Sequence, residues 1–94
     1  MYDISFYSSF KKDVKKLKGD ILNRVKSAFL EIRENPYKFD KLTGDLSEVY
    51  RYKFRLNKVD YRLAYLINEN EEIVIFIMFK KRENFYDLLR KRLN

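Results

Sequence analysis

The chain has 94 residues, of which 46% are hydrophobic and 17% aromatic, and this composition excludes an intrinsically disordered protein. Its length fits one small domain, which we expect to span residues 1–94. It contains no cysteine and no histidine, which excludes disulfides, thiolate metal sites and the commonest metal ligand, while a net charge of +7 favours an anionic partner such as RNA or DNA.

The N-terminal residues predict a short strand followed by a helix. Ile4 and Phe6 alternate with polar neighbours, as on a strand with one buried face. Apolar residues then recur at helical spacing, and Ser8 or Ser9 is placed to cap the first turn of that helix. Gly19 is expected to end the helix in a left-handed conformation.

A second helix follows and is expected to form an antiparallel hairpin with the first. Its apolar residues lie on one stripe over residues 21–32, as in an amphipathic helix. Asp20 is a candidate cap for its first turn, and Asn35 ends it because the residue before Pro36 avoids helical angles. Residues 37–48 are predicted to be a connection.

The second half of the chain is rich in strands. Val49–Leu56 alternates strictly, and a short turn at 57–59 leads into a second alternating strand, Asp60–Ile67. Ile73–Phe79 is apolar on both faces, which indicates a central strand covered on each side. From Arg82 onward the pattern is helical and ends in a basic tail.

The resulting order, β-α-α-β-β-β-α, predicts an α+β fold. We expect an antiparallel sheet with the helical hairpin packed on one face and a C-terminal helix at the end of the chain. The other face of the sheet would then be left partly open and lined with cationic side chains.

The strand Tyr50–Arg55 alternates aromatic and cationic residues. Because successive side chains of a strand point to opposite faces, the aromatic residues are expected in the core and the cations in a row on the other face. Neighbouring cations repel one another, so such a row suits a polyphosphate ligand better than it suits stability. The cations in this row are Arg51, Lys53 and Arg55.

Further cations are expected to join this row from the neighbouring segments. With a turn at 57–59, Lys53 and Arg62 should lie near one another across the strand ladder. Arg82 follows the central strand, and Tyr86 lies four residues on, on the same side of the last helix. The candidate catalytic residues are Arg51, Lys53, Arg62, Arg82 and Tyr86. The candidate RNA-binding residues are Arg55, Lys80 and Lys81.

These residue types can cleave RNA, which supplies its own nucleophile in the 2′-hydroxyl group. Neighbouring positive charges favour the neutral form of a lysine, so Lys53 is the expected general base. Arg51 and Arg62 suit the stabilisation of charge on the phosphate, and Tyr86 can stack on a base or orient the phosphate. No metal ion and no cofactor is expected.

Several segments together resemble the RelE/ParE superfamily of bacterial and archaeal toxins. Members carry a Leu-x-Gly before a basic strand, a Tyr-Arg strand, and a basic turn before a last helix with a tyrosine. The matching segments of this chain are Lys41-Leu42-Thr43-Gly44, Tyr50–Arg55, Asp60–Tyr65, Phe79–Arg82 and Tyr86. With the N-terminal helical hairpin, the resemblance covers nearly the whole chain.

The resemblance implies a toxin of a type II toxin-antitoxin system. RelE-like members are mRNA endonucleases that commonly act on the ribosome, and the basic set of this chain follows their pattern. The resemblance therefore implies a metal-independent endoribonuclease that a cognate antitoxin neutralises. A cytoplasmic location is expected because the sequence shows neither a membrane-spanning run nor a signal-peptide pattern. Arg51 stands where RelE itself often has lysine, and this shifts the role of base to Lys53.

Three alternatives remain open at this point. ParE-like members inhibit DNA gyrase and are not nucleases, and a nucleic-acid-binding module without toxicity is a weaker possibility. The cations could also form an ion-paired sheet surface, with Arg55 bound to Glu48 or Asp60, and Tyr86 could simply be a packing residue.

No apolar run approaches the roughly 18–20 residues that span a bilayer, and residues 1–5 do not resemble a signal peptide.

Overall fold

The computed structural model describes residues 1–94 as one five-stranded sheet with three helices. The strands lie in the order β1-β5-β4-β3-β2, and all neighbouring pairs are antiparallel except β1 and β5. The predicted α+β fold is confirmed, with β2 as an extra strand inside the predicted connection. The elements are β1 (Asp3–Phe6), α1 (Ser8–Lys15), α2 (Gly19–Glu34), β2 (Asp40–Lys41), β3 (Tyr50–Leu56), β4 (Val59–Asn68), β5 (Ile73–Lys81) and α3 (Phe85–Leu93).

A two-residue turn joins β3 to β4 and sets their register. Asn57 and Lys58 both adopt positive φ angles, of 50° and 65°. This is the conformation of the hairpin turns whose twist matches that of the flanking strands. Counting back from the turn, Lys53 lies directly opposite Arg62. The predicted proximity of these two cations is therefore confirmed.

A bulge in β5 shifts the side chains that follow it to the other face. Ala64 pairs with Met78 and Tyr65 with Phe76, which leaves Ile77 as an extra residue. An extra residue in one strand reverses the facing of everything beyond it. As a result Ile77 and Met78 both face the α3 side of the sheet.

The two faces of the sheet carry separate apolar cores, and α3 covers part of the face that was predicted to be partly open. The helical hairpin packs on one face, where the core is Phe10, Val25, Ala28, Ile32, Tyr52, Phe54, Leu63, Tyr65, Val74, Phe76 and Phe79. The α3 face has a smaller core of Leu46, Val49, Ala64, Ile77, Met78, Phe85 and Leu89. No helix is long and apolar enough to cross a membrane.

A buried carboxylate joins α1, β5 and α3. β1 pairs with β5 only as far as Phe76. Beyond that residue, the backbone groups on the edge of β5 that faces away from β4 have no strand partner. Asp13 accepts the Phe79 N–H at 2.9 Å and two hydrogen bonds from Arg92, at 2.5 and 3.2 Å. Arg92 also donates to the Ile77 carbonyl at 3.1 Å. The Asp13–Arg92 pair thus satisfies the open edge of β5 and holds the C-terminal end of α3.

The predicted helix caps were wrong. The N–H of Tyr7 donates to the Phe76 carbonyl at 2.9 Å, so the chain passes from the sheet directly into α1. Ser8 and Ser9 therefore lie inside the first turn, and Tyr7 occupies the cap position without a side-chain bond. At α2 the cap position belongs to Lys18 instead of Asp20, because the helix already begins at Gly19.

The predicted ends of two helices also need correction. Gly19 adopts the expected left-handed conformation, with φ +62°, but α1 ends earlier, at Lys15. The last helix begins at Phe85 and not at Arg82. Asn84 has a left-handed φ of 56°, so a right-handed helix cannot run through it.

Replacing Asp13 by alanine should destabilise the fold, because the guanidinium of Arg92 and the N–H of Phe79 lose an acceptor whose side chain is 3% exposed. We expect the free energy of unfolding to fall by about 3 kcal/mol, measured by urea denaturation. Asp45→Ala is the matched control, since it removes an arginine-paired carboxylate that is 64% exposed. Equal shifts of the urea midpoint in the two variants would contradict this role of Asp13.

Candidate active site

The centre of the candidate site is the hydroxyl group of Tyr86. Arg51, from β3, donates a short hydrogen bond to it through Nη1, and Arg62, from β4, donates one at 2.9 Å. The Arg62 guanidinium also lies over the Tyr86 ring, 5.6 Å from its centroid. Two paired strands and the last helix therefore bring three of the predicted residues together, and Tyr86 is more than a packing residue.

Lys53 lies next to this centre. It stands opposite Arg62 in the β3–β4 ladder, on the same face of the sheet. Its side chain is half exposed, and its ammonium group lies 3.8 Å from the Asp40 carboxylate. Lys53 is thus held close to Arg51 and Arg62 and remains accessible to a ligand.

Asp40 pairs with two of these cations, and sequence reasoning missed it. It lies on β2 opposite Arg51, and its Oδ2 atom accepts a hydrogen bond from Arg51 Nη2 at 2.7 Å. That hydrogen bond, assisted by the charges of Arg51 and Lys53, lowers the pKa of Asp40 below its usual value. Burial opposes the charge of Arg51, but its hydrogen bonds to Asp40 and Tyr86 raise its pKa above the ordinary value.

Arg82 and Arg55 lie at the other end of the same surface, where they share the Asp60 carboxylate. The distances from this carboxylate are 3.8 Å to Arg82 and 4.0 Å to Arg55, and both arginines are largely exposed. A cleft of about 300 Å³ joins them to the centre. Its lining residues are Lys53, Phe54, Arg55, Asp60, Tyr61, Arg62 and Arg82.

Lys80 and Lys81 do not line this cleft. Lys80 stands opposite Arg62 in the ladder, but its ammonium group turns to Asp13, 3.2 Å away. Both lysines border a separate groove whose apolar lining includes Leu17 and Ile21. The structure therefore brings Arg55 to the candidate site and leaves Lys80 and Lys81 beside it.

A second cleft lies on the other side of Tyr86. It also measures about 300 Å³ and shares Arg51 and Tyr86 with the centre. Its other polar lining residues are Lys41, Thr43 and Arg90. Arg90 is bound to Asp45 at 2.9 Å, and this hydrogen bond lowers the pKa of that carboxyl group.

The central guanidinium groups are not fully satisfied. The Nε atoms of Arg51 and Arg62 are buried and have no hydrogen-bond partner in the protein. Unpaired buried donors are rare in folded proteins and cost stability. Nη1 of Arg24, on α2 and outside the site, has no hydrogen-bond partner either.

The site is suited to an anionic substrate with a reacting phosphate. Arginine guanidiniums can donate two parallel hydrogen bonds to phosphate oxygens, and a lysine beside them can transfer a proton. The acidic side chains form no group of three or more that could hold a metal ion. The site can therefore stabilise negative charge and transfer protons through its guanidinium and ammonium groups and the phenol of Tyr86.

Comparison with solved structures identifies the fold. The isolated RelE toxin of Escherichia coli is 27% identical to this chain, with full coverage of both chains and a TM-score of 0.72. The RelBE toxin-antitoxin complex of E. coli is 24% identical over 88% of this chain and 99% of that chain, with a TM-score of 0.76. The RelBE2 complex of Mycobacterium tuberculosis is 24% identical over 86% and 98%, with a TM-score of 0.74.

The family follows from the sequence. Comparison with curated proteins gives no significant match. A family model described as the ParE-like toxin of type II bacterial toxin-antitoxin systems matches residues 4–90, which is most of the chain. The resemblance to the RelE/ParE superfamily is thereby confirmed, and the chain belongs to the ParE-like toxins of type II bacterial toxin-antitoxin systems.

Proposed function

We propose that this toxin is a metal-independent endoribonuclease that cleaves mRNA on the ribosome. The observation that carries the proposal is the meeting of Arg51 and Arg62 at the Tyr86 hydroxyl, with Lys53 directly across the ladder from Arg62. Neighbouring cations repel one another, so bringing them together costs free energy. The resulting positive charge is complementary to that of a phosphodiester. Because the substrate is translated mRNA, the proposed place of action is the cytoplasm.

In the proposed reaction the 2′-hydroxyl group of the RNA attacks the adjacent phosphorus. Lys53, as the proposed general base, takes the proton of the hydroxyl group as the new bond between phosphorus and the 2′-oxygen forms. Arg51 and Arg62 stabilise the additional negative charge on the phosphate oxygens. The bond to the 5′-oxygen breaks, Arg82, which lines the same cleft, stabilises the negative charge that develops on that oxygen, and the oxygen takes up a proton from water. The products are a cyclic phosphate and a free 5′-hydroxyl end.

The remaining residues are assigned to binding. Tyr86 orients the two arginines and offers its ring to a neighbouring base. Arg55 lines the cleft and is assigned to a phosphate further along the strand. Lys80 and Lys81 lie outside the cleft, so we propose them only as peripheral contacts to RNA.

Gyrase inhibition is the second candidate, and the description of the matching family as ParE-like favours it. A gyrase inhibitor acts through a protein-docking surface and carries out no proton transfer, so its function does not require a lysine beside two converging arginines. The geometry of the Tyr86 centre therefore favours the nuclease.

Substitution of the central cations should abolish cleavage without unfolding the protein. We expect Arg62→Ala to slow cleavage by about 100- to 1,000-fold, because a charge that acts on the transition state is lost. Lys53→Met should slow it by a similar factor of about 100 or more, because the base is lost. The measurement is mapping of new 5′ ends in messages translated by ribosomes with the purified toxin.

Lys26→Met is the control. Lys26 is an exposed lysine of α2, which packs on the other face of the sheet, and its replacement changes the net charge by the same amount as Lys53→Met. Cleavage by this variant should equal that of the wild type. Supercoiling by gyrase is assayed in parallel. Inhibition of supercoiling with intact messages, or full cleavage by Lys53→Met, would overturn the nuclease proposal.

We also propose that a cognate antitoxin binds and neutralises this toxin, because the similar E. coli and M. tuberculosis structures are toxin-antitoxin complexes. The net charge of +7 predicts an acidic contact surface on the antitoxin.

We expect the toxin-antitoxin complex to weaken as salt is added. The screening length falls from about 8 Å at 0.15 M to about 3 Å at 1 M ionic strength, so attraction between exposed charges is largely lost. The dissociation constant is measured by titration calorimetry at several salt concentrations. A constant that does not change with salt would mean that charge does not dominate the interface.

A further inference from the structure

Asp40 touches the candidate site in the way a phosphate would. One of its oxygens, Oδ2, lies 2.7 Å from Arg51 Nη2 and 3.8 Å from Lys53 Nζ. A single anionic oxygen therefore bridges Arg51 and Lys53, two of the three cations of β3. A phosphodiester offers an oxygen of the same charge and can accept the same bonds.

The contact can be exchanged without dismantling the site. Asp40 lies on a strand of two residues at the edge of the sheet, and its side chain is half exposed. Exposed ion pairs are weak because water and salt screen them. Arg51 binds Tyr86 through Nη1 and Asp40 through Nη2, so its hydrogen bond to the Tyr86 hydroxyl does not depend on the contact that is exchanged.

Asp60, the acidic residue that lines the cleft, makes a looser contact with its cations. Asp60 lies 3.8 and 4.0 Å from its two arginines, and those arginines are about two-thirds exposed. The Arg51 side chain is only 19% exposed, and its bond to Asp40 is short and direct. Of the two carboxylates, Asp40 thus makes the shorter contact and binds the more buried arginine.

We propose that Asp40 fills, in the free protein, the place of an RNA phosphate, so that RNA must displace this carboxylate from Arg51 and Lys53 in order to bind. This inference rests on the proposed function. Asp40 is then a competitor of the substrate and takes no part in the chemical step. Its removal should tighten RNA binding and lower KM while kcat stays the same.

The test replaces Asp40 by asparagine, which keeps an oxygen for Arg51 and removes the charge. Binding is measured by fluorescence anisotropy with a short RNA whose 2′-hydroxyl groups are methylated and which cannot be cleaved. We expect the Kd of the variant to fall by about two- to fivefold. On message-programmed ribosomes KM should fall by a similar factor, with kcat unchanged within about twofold.

Asp20→Asn is the matched control, because it makes the same change of charge at an exposed position on α2. Asp40→Ser provides a second variant if asparagine disturbs β2, and melting curves verify that each variant is folded. An equal gain in Asp20→Asn would assign the effect to net charge and overturn the proposal. A fall in kcat at unchanged KM would also overturn it and would make Asp40 a positioning residue.

The two proposals fail in different ways. If the wild-type toxin binds the methylated RNA but leaves messages intact, the nuclease proposal falls and the comparison of Kd values still decides the role of Asp40. If cleavage occurs and the Asp40 variants bind RNA no more tightly, only the displacement proposal falls. If the wild type neither binds RNA nor cleaves messages on ribosomes, both fall.

Discussion

The candidate active site depends on the register of the β3–β4 hairpin. Asn57 and Lys58 complete the turn with only two residues, and this tight turn places Lys53 opposite Arg62. A slip of one residue would send every side chain of the slipped strand to the other face of the sheet. The buried aromatic residues of β3 and β4 oppose such a slip, because it would move Tyr52 and Phe54 out of the core. The core therefore positions the cations on the opposite face.

The position of α3 is the second requirement, because this helix carries Tyr86. Phe85 and Leu89 pack against the small core on the α3 face, and the bulge at Ile77 widens the apolar surface available to them. Asp13 and Arg92 then hold the far end of the helix at the open edge of β5. Contacts at both ends of α3 thus fix the helix that carries Tyr86. The two arginines that bind the Tyr86 hydroxyl come from the β3–β4 hairpin.

Local patterns predicted the part of the site that lies within one hairpin. Strict alternation and a short turn were enough to place Lys53 beside Arg62. The role of Asp40 could not be predicted in this way, because a strand of two residues has no periodicity and owes its position to pairing with β3. Lys80 shows the opposite case: the ladder places it beside Arg62, but a buried carboxylate from α1 attracts its ammonium group. Contacts between distant segments decided both outcomes.

The balance of charge at the site explains how a folded protein tolerates such a cluster. Unit charges about 6 Å apart repel by roughly 1–3 kcal/mol, depending on the local dielectric, so uncompensated cations would lower stability. Asp40 offsets Arg51 and Lys53, Asp60 offsets Arg55 and Arg82, and Arg62 between these groups donates to the hydroxyl of Tyr86 and pairs with no carboxylate. A phosphate therefore meets its least compensated positive charge at Arg62, beside Lys53. Under the proposed function, the Asp40 carboxylate that offsets Arg51 and Lys53 in the free protein is also the group that RNA displaces, so stability and RNA affinity would be opposed at Asp40.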